Sequence, residues 1–536
     1  MPDTATERQH VKKSRRSGWL WSRRGVQLLV LLLILWSIIQ INITSLAASN
    51  TVLAHRYLQL DPLLALTAVI ASAMQKAWPA ILPPVLFAIP VLLVTVLFGR
   101  VFCGWLCPVG TCIDASDRLI WRRKKNQGNF RLHWLKYALL TAFVVTAIFG
   151  SQLLYVFDPI SLFTRTVVVF LFPLLSPLLV HTHVLSSDTA STMLGFAFRG
   201  NLIVGLFFLA VLMLGYFGRR FWCRSLCPLG ALLGLVSRLG IFRRNVGAAC
   251  TTCGSCAKRC RMAAIPDGPS QHAGECTLCG ECAAVCPSGS VTVGRHGQRA
   301  GSEEPADLSR RRFALAAVAG LAWAGTMATS AMTRMTQQTG RVANESLLRP
   351  PSALPEQDFL AKCMHCDACM KACPTGGLQP ALTEAGLEGL LTPVLVPRLG
   401  ECSVGCNACS QVCPTHAIQP FAPEDKAHIY IGTARIDHSA CLMWQDSVNG
   451  KRCLVCDEHC PYDAIYVGIG PNGRKVPYVN EALCIGCGTC EHGCPVGPQA
   501  AIRVLNEAPF GDKRQRSGKE QQAWQQRMAP MYPSDK

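Results

Sequence analysis

Of the 29 cysteines in this 536-residue chain, 24 fall into six groups of four. Two groups come first: Cys250, Cys253, Cys256, Cys260, then Cys276, Cys279, Cys282, Cys286. Four follow after a gap. They are Cys363, Cys366, Cys369, Cys373; Cys402, Cys406, Cys409, Cys413; Cys441, Cys453, Cys456, Cys460; and Cys484, Cys487, Cys490, Cys494. In a C-x2-C-x2-C-x3-C-P run, three close thiolates wrap one [4Fe–4S] cube and the fourth reaches to a neighbouring cluster. Pro287, Pro374, Pro414, Pro461 and Pro495 stand directly after the fourth cysteine, where a residue without an N–H fixes the chain's exit. Arg261 takes that place in the first group, and the groups beginning at Cys402 and Cys441 are stretched. Structural zinc uses two cysteine pairs without this regular fourth cysteine and proline. A disulfide framework suits small secreted domains better than a long chain. The spacing therefore predicts six [4Fe–4S] clusters. In the first two groups Cys250, Cys253 and Cys256 are expected to take Cys286, while Cys276, Cys279 and Cys282 take Cys260. Among the outer four, neighbour pairing and nested pairing both remain open.

Apolar runs supply the second constraint. Half the residues are apolar and mean hydropathy is +0.25. Gly25 to Leu46 is long enough to cross roughly 30 Å of hydrocarbon, and too long for the 7–15-residue apolar region of a cleaved signal. Further runs at Ile81–Phe98, Leu135–Leu154 and Leu202–Phe217 read as three more spans, the second kinked by Pro83, Pro84 and Pro90. Val167–Val180, with Pro173 and Pro177, reads as an interfacial or re-entrant segment on the outer side. Ser309-Arg310-Arg311-Arg312-Phe313-Ala314-Leu315 heads another apolar run, to about Ala331, and resembles a twin-arginine export signal. An ordinary fifth helix is the alternative. Either sends the following chain outward.

The net charge of +19 would elsewhere suggest a polyanion. Residues 1–25, 100–136 and 219–312 carry all of it, and the remainder balances at 23 basic against 23 acidic. These are the segments that the positive-inside bias assigns to the cytoplasm. No nucleic-acid partner is expected.

The fold expected is thus a polytopic α-helical membrane domain with a cytoplasmic and a periplasmic ferredoxin-like part. Residues 1–25 form a basic tail and 26–245 hold four helices. Residues 246–294 form a cytoplasmic two-cluster domain, and 295–335 a linker with the signal or anchor helix. Residues 336–505 form a periplasmic four-cluster α+β domain, and 506–536 a polar tail. Two more cysteine pairs, Cys103 and Cys107 in CGWLCPVG and Cys223 and Cys227 in CRSLCPLG, directly follow spanning runs on the same inner face. They could ligate one further cluster, form a redox-active thiol pair, or simply pack as helix ends. Cys112 reads as a buried thiol.

With these motifs in view, the first 290 residues resemble the NapH family of membrane ferredoxin-type proteins. The features that match are the four spans, the basic N-terminus, Asp61-Pro62-Leu63, both C-x3-C-P motifs and the two inner groups. Residues 309–505 resemble the NapG/MauM family of exported four-cluster ferredoxins. There Leu348-Arg349-Pro350-Pro351 precedes the first outer group, and Cys441-Leu442 stands far upstream of Cys453-Leu454-Val455-Cys456. The chain departs from these families in extra sequence at 166–200 and in the compact CSVGCNACSQVCP group.

The resemblance implies a quinol dehydrogenase of the bacterial inner membrane. It would pass electrons from membrane quinol through iron–sulfur clusters to a periplasmic c-type cytochrome or reductase, typically of a nitrate reductase system. A methylamine dehydrogenase system is the alternative destination, and a maturation factor is a further reading. No C-x2-C-H haem-attachment motif and no P-loop is present, so a conduit is expected. Quinol oxidation needs a proton acceptor near an apolar crevice. His55, Asp61, Asp158, His181 and His183 are the candidates on the outer side. His365 and His459 lie inside cysteine groups that are complete without them.

Overall fold

The computed structural model describes residues 4–43, 56–75, 82–120, 131–175, 198–266, 269–295, 346–445, 453–470 and 473–506, with isolated positions between 314 and 325. The chain divides into two compact units. One comprises Met1–Ile39, Arg56–Val167 and Leu202–Ala331; the other comprises Gln40–His55, Val168–Asn201 and Met332–Lys536. The Arg122–Lys125 basic run, Ser309–Phe313 of the export-like motif and the 507–536 tail lie outside the described residues, as do His55, His181 and His183.

The first unit is helical. Helix α1 (Thr4–Ile43) contains Gly18–Ile39, the one stretch among the described residues long and apolar enough to cross a membrane. Then come α2 (Pro62–Gln75), α3 (Leu82–Phe98), α4 (Val101–Trp105), α5 (Pro108–Leu119), α6 (Leu135–Ile148) and α7 (Pro159–Arg165). After a π-helical turn at Thr166–Leu171 follow α8 (Asn201–Met213), α9 (Phe221–Ser225) and α10 (Pro228–Val236). Of the expected spans, the third ends early, at Ile148 and not Leu154, while the second (Leu82–Phe98) and fourth (Asn201–Tyr216) keep close to their expected bounds. Helix α3 has 17 residues, which at 1.5 Å each is about 25 Å. Helix α6 stops at Ile148 because the chain turns at Gly150, where φ is +74°. Pro83 and Pro84 occupy the first turn of α3, where an amide N–H has no helical partner anyway, and the helix continues through Pro90. Of the Val167–Val180 stretch, Val167–Val169 are buried and Leu174 and Leu175 exposed, while 176–180 lie outside the described residues.

Four of these helices begin with the same device. Pro62, Pro159, Pro108 and Pro228 each open a helix, with φ pre-set and no amide hydrogen to satisfy. The preceding residue caps each one. Asp61 Oδ1 accepts from Leu63 N at 2.9 Å, and Asp158 Oδ2 accepts from Ile160 N and Ser161 N at 2.9 and 2.8 Å. Cys107 Sγ accepts from Gly110 N at 3.4 Å and Cys227 Sγ from Gly230 N at 3.2 Å. The packing is crosswise: α2 lies against α10, and α7 against α5.

Strands β1 (Phe242–Val246) and β2 (Val291–Arg295) pair antiparallel from Phe242↔Arg295 to Val246↔Val291, closing the first cysteine-rich segment. That segment, with α11 (Ser255–Arg259) and α12 (Glu281–Ala284), is fastened to the helices by buried charge. Arg220 grips Asp114 twice, Nε to Oδ1 at 2.7 Å and Nη2 to Oδ2 at 2.8 Å. Arg261 Nη1 reaches the same carboxylate at 2.9 Å and also pairs with Glu281. Arg23 lies 3.8 Å from Asp114 and 3.6 Å from Glu281. A second knot joins Glu275 to Lys136 and, at 2.7 Å, to Arg100. All these side chains are buried or nearly so. The basic excess expected simply to face the cytoplasm is thus partly an internal fastening.

In the second unit, short helices alternate with two-stranded sheets. These are α13 (Glu356–Lys362), α14 (Ala368–Ala372), β3 (Leu378–Pro380), β4 (Pro393–Leu395), α15 (Ala408–Gln411), β5 (Thr433–Ile436), α16 (Val455–Glu458), β6 (Ile465–Ile469), β7 (Lys475–Val479), α17 (Thr489–Gly493) and β8 (Ile502–Leu505). Strand β3 pairs with β4, β5 with β8 and β6 with β7, all antiparallel. Arg349 of the Leu-Arg-Pro-Pro motif is buried here. It holds Glu356 through Nε (2.8 Å) and Nη2 (2.5 Å), donates to Thr392 Oγ1 and Pro393 O, and stacks on Phe359. Its role is to pin the approach to the first outer cysteine group.

Glu275→Ala leaves Arg100 and Lys136 buried without their anion. Removing one partner of such a pair costs about 3–5 kcal/mol, and a clear fall in the thermal unfolding midpoint of the purified protein is the expected readout. Burial alone would raise the Glu275 carboxyl, yet Lys136 and Arg100 outweigh it and hold the group at about 2. This contribution is therefore full at neutral pH and is lost only on acidification toward that value.

Candidate iron–sulfur sites and a buried carboxyl pair

Each compact cysteine loop is shaped by left-handed backbone at fixed offsets. Two residues after the first cysteine stand Thr252, Leu278, His365 and Gly486, all with positive φ; four residues after it stand Gly254, Gly280, Asp367 and Gly488, likewise positive. Three residues after a fourth cysteine, Ala263, Gly289, Gly376, His416 and Asp463 repeat the device. Non-glycine residues adopt this geometry at a cost of about 1–2 kcal/mol each, and the recurrence marks a loop wound around a centre. Alternating turns of this kind aim backbone N–H groups inward, as anion-binding nests do. Fourth cysteines receive such bonds: Ala264 N donates to Cys260 Sγ (3.3 Å), Ile418 N to Cys413 (3.5 Å) and Ala464 N to Cys460 (3.3 Å).

The structure brings thiols together across groups. One pocket is lined by Cys363, Cys366, Cys369 and Cys413. Another has Cys441, Cys453, Cys456 and Cys494, and a third has Cys484, Cys487, Cys490 and Cys460. Cys409 faces Cys402, Cys406 and Cys373, completing the set. The outer groups therefore pair with their neighbours, first with second and third with fourth. Nesting does not occur. In the first unit Cys282 faces Cys276, Cys279 and Cys260, and Cys253 interacts with Cys286, the crossed arrangement expected from spacing.

The cavity walls are otherwise apolar, with Phe359, Met364 and Ile418 around the first and Ile465, Ile485 and Val504 around the third. Burial pushes the thiols up, Cys363 and Cys402 to about 12, so a metal that binds them must displace protons. Among the described residues no three Cys, His, Asp or Glu side chains converge tightly enough to hold a single ion. A cluster core holds its thiolates further apart than a lone ion does. The donor sets, four sulfurs in a dry pocket with inward N–H groups, match [4Fe–4S] chemistry. His365 and His459 are not needed as ligands: Nδ1 of each lies 2.9 Å from a backbone oxygen, of Leu390 and Val455 respectively.

The C-x3-C-P cysteines Cys103, Cys107, Cys223 and Cys227 are all buried and gather in one place, Cys227 facing the other three. Cys112 is half-buried, not fully buried as expected, and stands apart.

Of the proton-acceptor candidates, Asp61 and Asp158 meet. Both are fully buried and close enough to perturb each other, and Asp61 Oδ2 and Asp158 Oδ1 find no hydrogen-bond partner among the described residues. Burial raises both, and for Asp61 the neighbouring Asp158 adds to it. Tyr57 faces both carboxyl groups and the Cys107 thiol, while Tyr155 Oη lies 2.7 Å from Thr67 Oγ1 beside them. Sequence reasoning found the two aspartates but neither their contact nor Tyr57. The repeated Asp-Pro dipeptide ahead of an apolar stretch was the available signal.

A 4Fe-4S binding domain family matches residues 80–127 and again 201–248, so each C-x3-C-P segment falls in one copy. A 4Fe-4S dicluster domain family matches 451–498, and another 4Fe-4S binding domain family matches 276–290 and 363–376. No solved structure matches. The chain is 36% identical over 205 residues to the methylamine utilization ferredoxin-type protein MauM of Paracoccus denitrificans, covering 36% of this chain and 87% of that protein. It is 35% identical over 178 residues to the ferredoxin-type protein NapG of Escherichia coli, covering 32% of this chain and 74% of that one. It carries several 4Fe-4S binding domains and belongs to the MauM/NapG family of ferredoxin-type iron–sulfur electron-transfer proteins.

Proposed function

We propose that this protein sits in the bacterial inner membrane and carries electrons from membrane quinol through six [4Fe–4S] clusters to a periplasmic redox partner. In this reading α1, α3, α6 and α8 are the spans, the inner pair of cysteine groups is cytoplasmic and the four outer groups are periplasmic. The clusters take Cys250, Cys253, Cys256 with Cys286; Cys276, Cys279, Cys282 with Cys260; Cys363, Cys366, Cys369 with Cys413; Cys402, Cys406, Cys409 with Cys373; Cys441, Cys453, Cys456 with Cys494; and Cys484, Cys487, Cys490 with Cys460.

The quinol reading rests on the Asp61–Asp158 pair. Two buried carboxyl groups side by side in an apolar setting resist both being charged, so one can take up a proton, and quinol must shed two protons as it gives up two electrons. Asp158 is held by two backbone N–H groups, which favour its charged form, so it is the natural acceptor. The electrons leave singly through the clusters, whose thiolate ligands neither form nor break bonds. The partner would be a c-type cytochrome or reductase of a nitrate reductase system. The MauM similarity favours a second destination, a methylamine dehydrogenase system, with the same chemistry up to the last step.

Excess quinol added anaerobically to the protein in liposomes should bleach the cluster absorbance. Clusters that stay oxidised with quinol but are reduced by dithionite would defeat the quinol reading. Asp158→Asn should slow quinol-driven reduction about 10²–10⁴-fold, the usual worth of a positioned base, and leave dithionite reduction intact. Because the pair is raised above ordinary carboxylates, the quinol-driven rate should fall as pH drops through its titration. A reporter fused after residue 505 should be active outside the cytoplasm.

Cluster sharing has its own test. Cys413→Ser should perturb the electron paramagnetic resonance signal of the cluster that Cys363→Ser also perturbs. A signal shared instead with Cys402→Ser would contradict the pairing.

A further inference from the structure

The two C-x3-C-P segments are related by a local two-fold exchange that neither segment explains alone. Arg100, three residues before Cys103, donates Nη2 to the carbonyl of Cys223 at 3.3 Å. Arg220, three residues before Cys223, donates Nη1 to the carbonyl of Cys103 at 3.0 Å. Each arginine thus clamps the opposite loop. Both guanidinium groups are buried, Arg100 wholly so.

The glycine after each Cys-Pro is squeezed into the same arrangement. A Cβ on Gly110 would lie 2.8 Å from Cys103 O, and one on Gly230 2.7 Å from Arg100 Nη2. Cys107 and Cys227 each accept a backbone N–H at the N-terminus of a helix, α5 and α10, of twelve and nine residues. The four thiols face one another, with Arg100 toward Cys103 and Cys227 and Arg220 toward Cys223. Four buried sulfurs, two of them accepting N–H bonds at helix N-termini and all flanked by buried guanidinium groups, are a donor set suited to a cluster core.

We propose that Cys103, Cys107, Cys223 and Cys227 bind one further iron–sulfur cluster, a seventh centre shared equally by the two C-x3-C-P segments. Its place is against the inner ferredoxin: a Cβ on Gly104, between Cys103 and Cys107, would lie 3.0 Å from Thr277 O, inside the Cys276–Cys279 turn. Tyr57 lies near both Cys107 and the Asp61–Asp158 pair. The centre exchanges one electron at a time with the cluster of Cys276, Cys279, Cys282 and Cys260, one being oxidised as the other is reduced. The family matches to 80–127 and 201–248 agree with the residue types, but each contains only half of the four-thiol set.

Native mass spectrometry of the anaerobically purified full chain, compared with its Cys103→Ser/Cys223→Ser variant, tests this directly. The variant should lose one cluster, about four irons for a cube, and keep the ferredoxin-type resonance signals at full intensity. That difference does not depend on quinol activity or on the total number of other clusters. An equal cluster mass in both proteins overturns the proposal. Should the variant not accumulate, the wild-type mass decides. One cluster more than the 24 quartet cysteines can hold supports the seventh centre, and six or fewer clusters overturn it.

Discussion

Both cysteine-rich parts depend on one covalent-scale constraint, the fourth cysteine that leaves its own loop to close its neighbour's. Cys413 lines the pocket of Cys363, Cys366 and Cys369, while Cys373 faces Cys402 and Cys409. Cys494 and Cys460 make the same exchange between the last two groups. Such reciprocity fixes two loops against each other at a separation set by the ligands, and the short strands and helices fill in around them. It also explains how a fold with two-stranded sheets and helices of four or five residues can be definite. The left-handed turns at Thr252, Leu278, His365 and Asp367 are tolerated because the ligand geometry determines them.

In the helical unit, buried charge performs the comparable task. Asp114 is surrounded by Arg220, Arg261 and Arg23, and Glu275 by Arg100 and Lys136. These pairs join the inner ferredoxin segment to the helix ends. Ion pairs this deep are poor sources of net stability but strict about geometry, because any misalignment strands a charge. Positioning is what electron exchange between neighbouring centres requires. The basic residues expected to bias membrane orientation and those that seat the ferredoxin segment are thus, in part, the same residues.

Membership of the MauM/NapG family accounts for the cluster-bearing chemistry, and the family's role in electron transfer follows from it. What the helical unit adds is a buried pair of carboxyl groups and a set of four thiols, both built on helices that open with proline. The crosswise packing of α2 on α10 and α7 on α5 draws Asp-Pro and Cys-Pro starts into one neighbourhood. Loop charge led to the expectation of aspartates on the outer side and thiols on the inner face; in the structure Tyr57 lies near both.

The sequence by itself determined the kind of chemistry. Thiol spacing and the trailing prolines declare cluster loops, because a ligand set reached through two or three intervening residues is a local property of the chain. Crossed sharing in the first two groups was equally legible, since only two groups lie there. Four groups admit more than one pairing, and distance along the chain does not choose among them. Tertiary packing decided for neighbours. It also decided that Asp61 meets Asp158, 97 positions away in the numbering, that Arg100 and Arg220 exchange carbonyl partners, and that part of a basic excess is turned inward. Each of these is a contact between distant segments, for which composition and periodicity carry no signal.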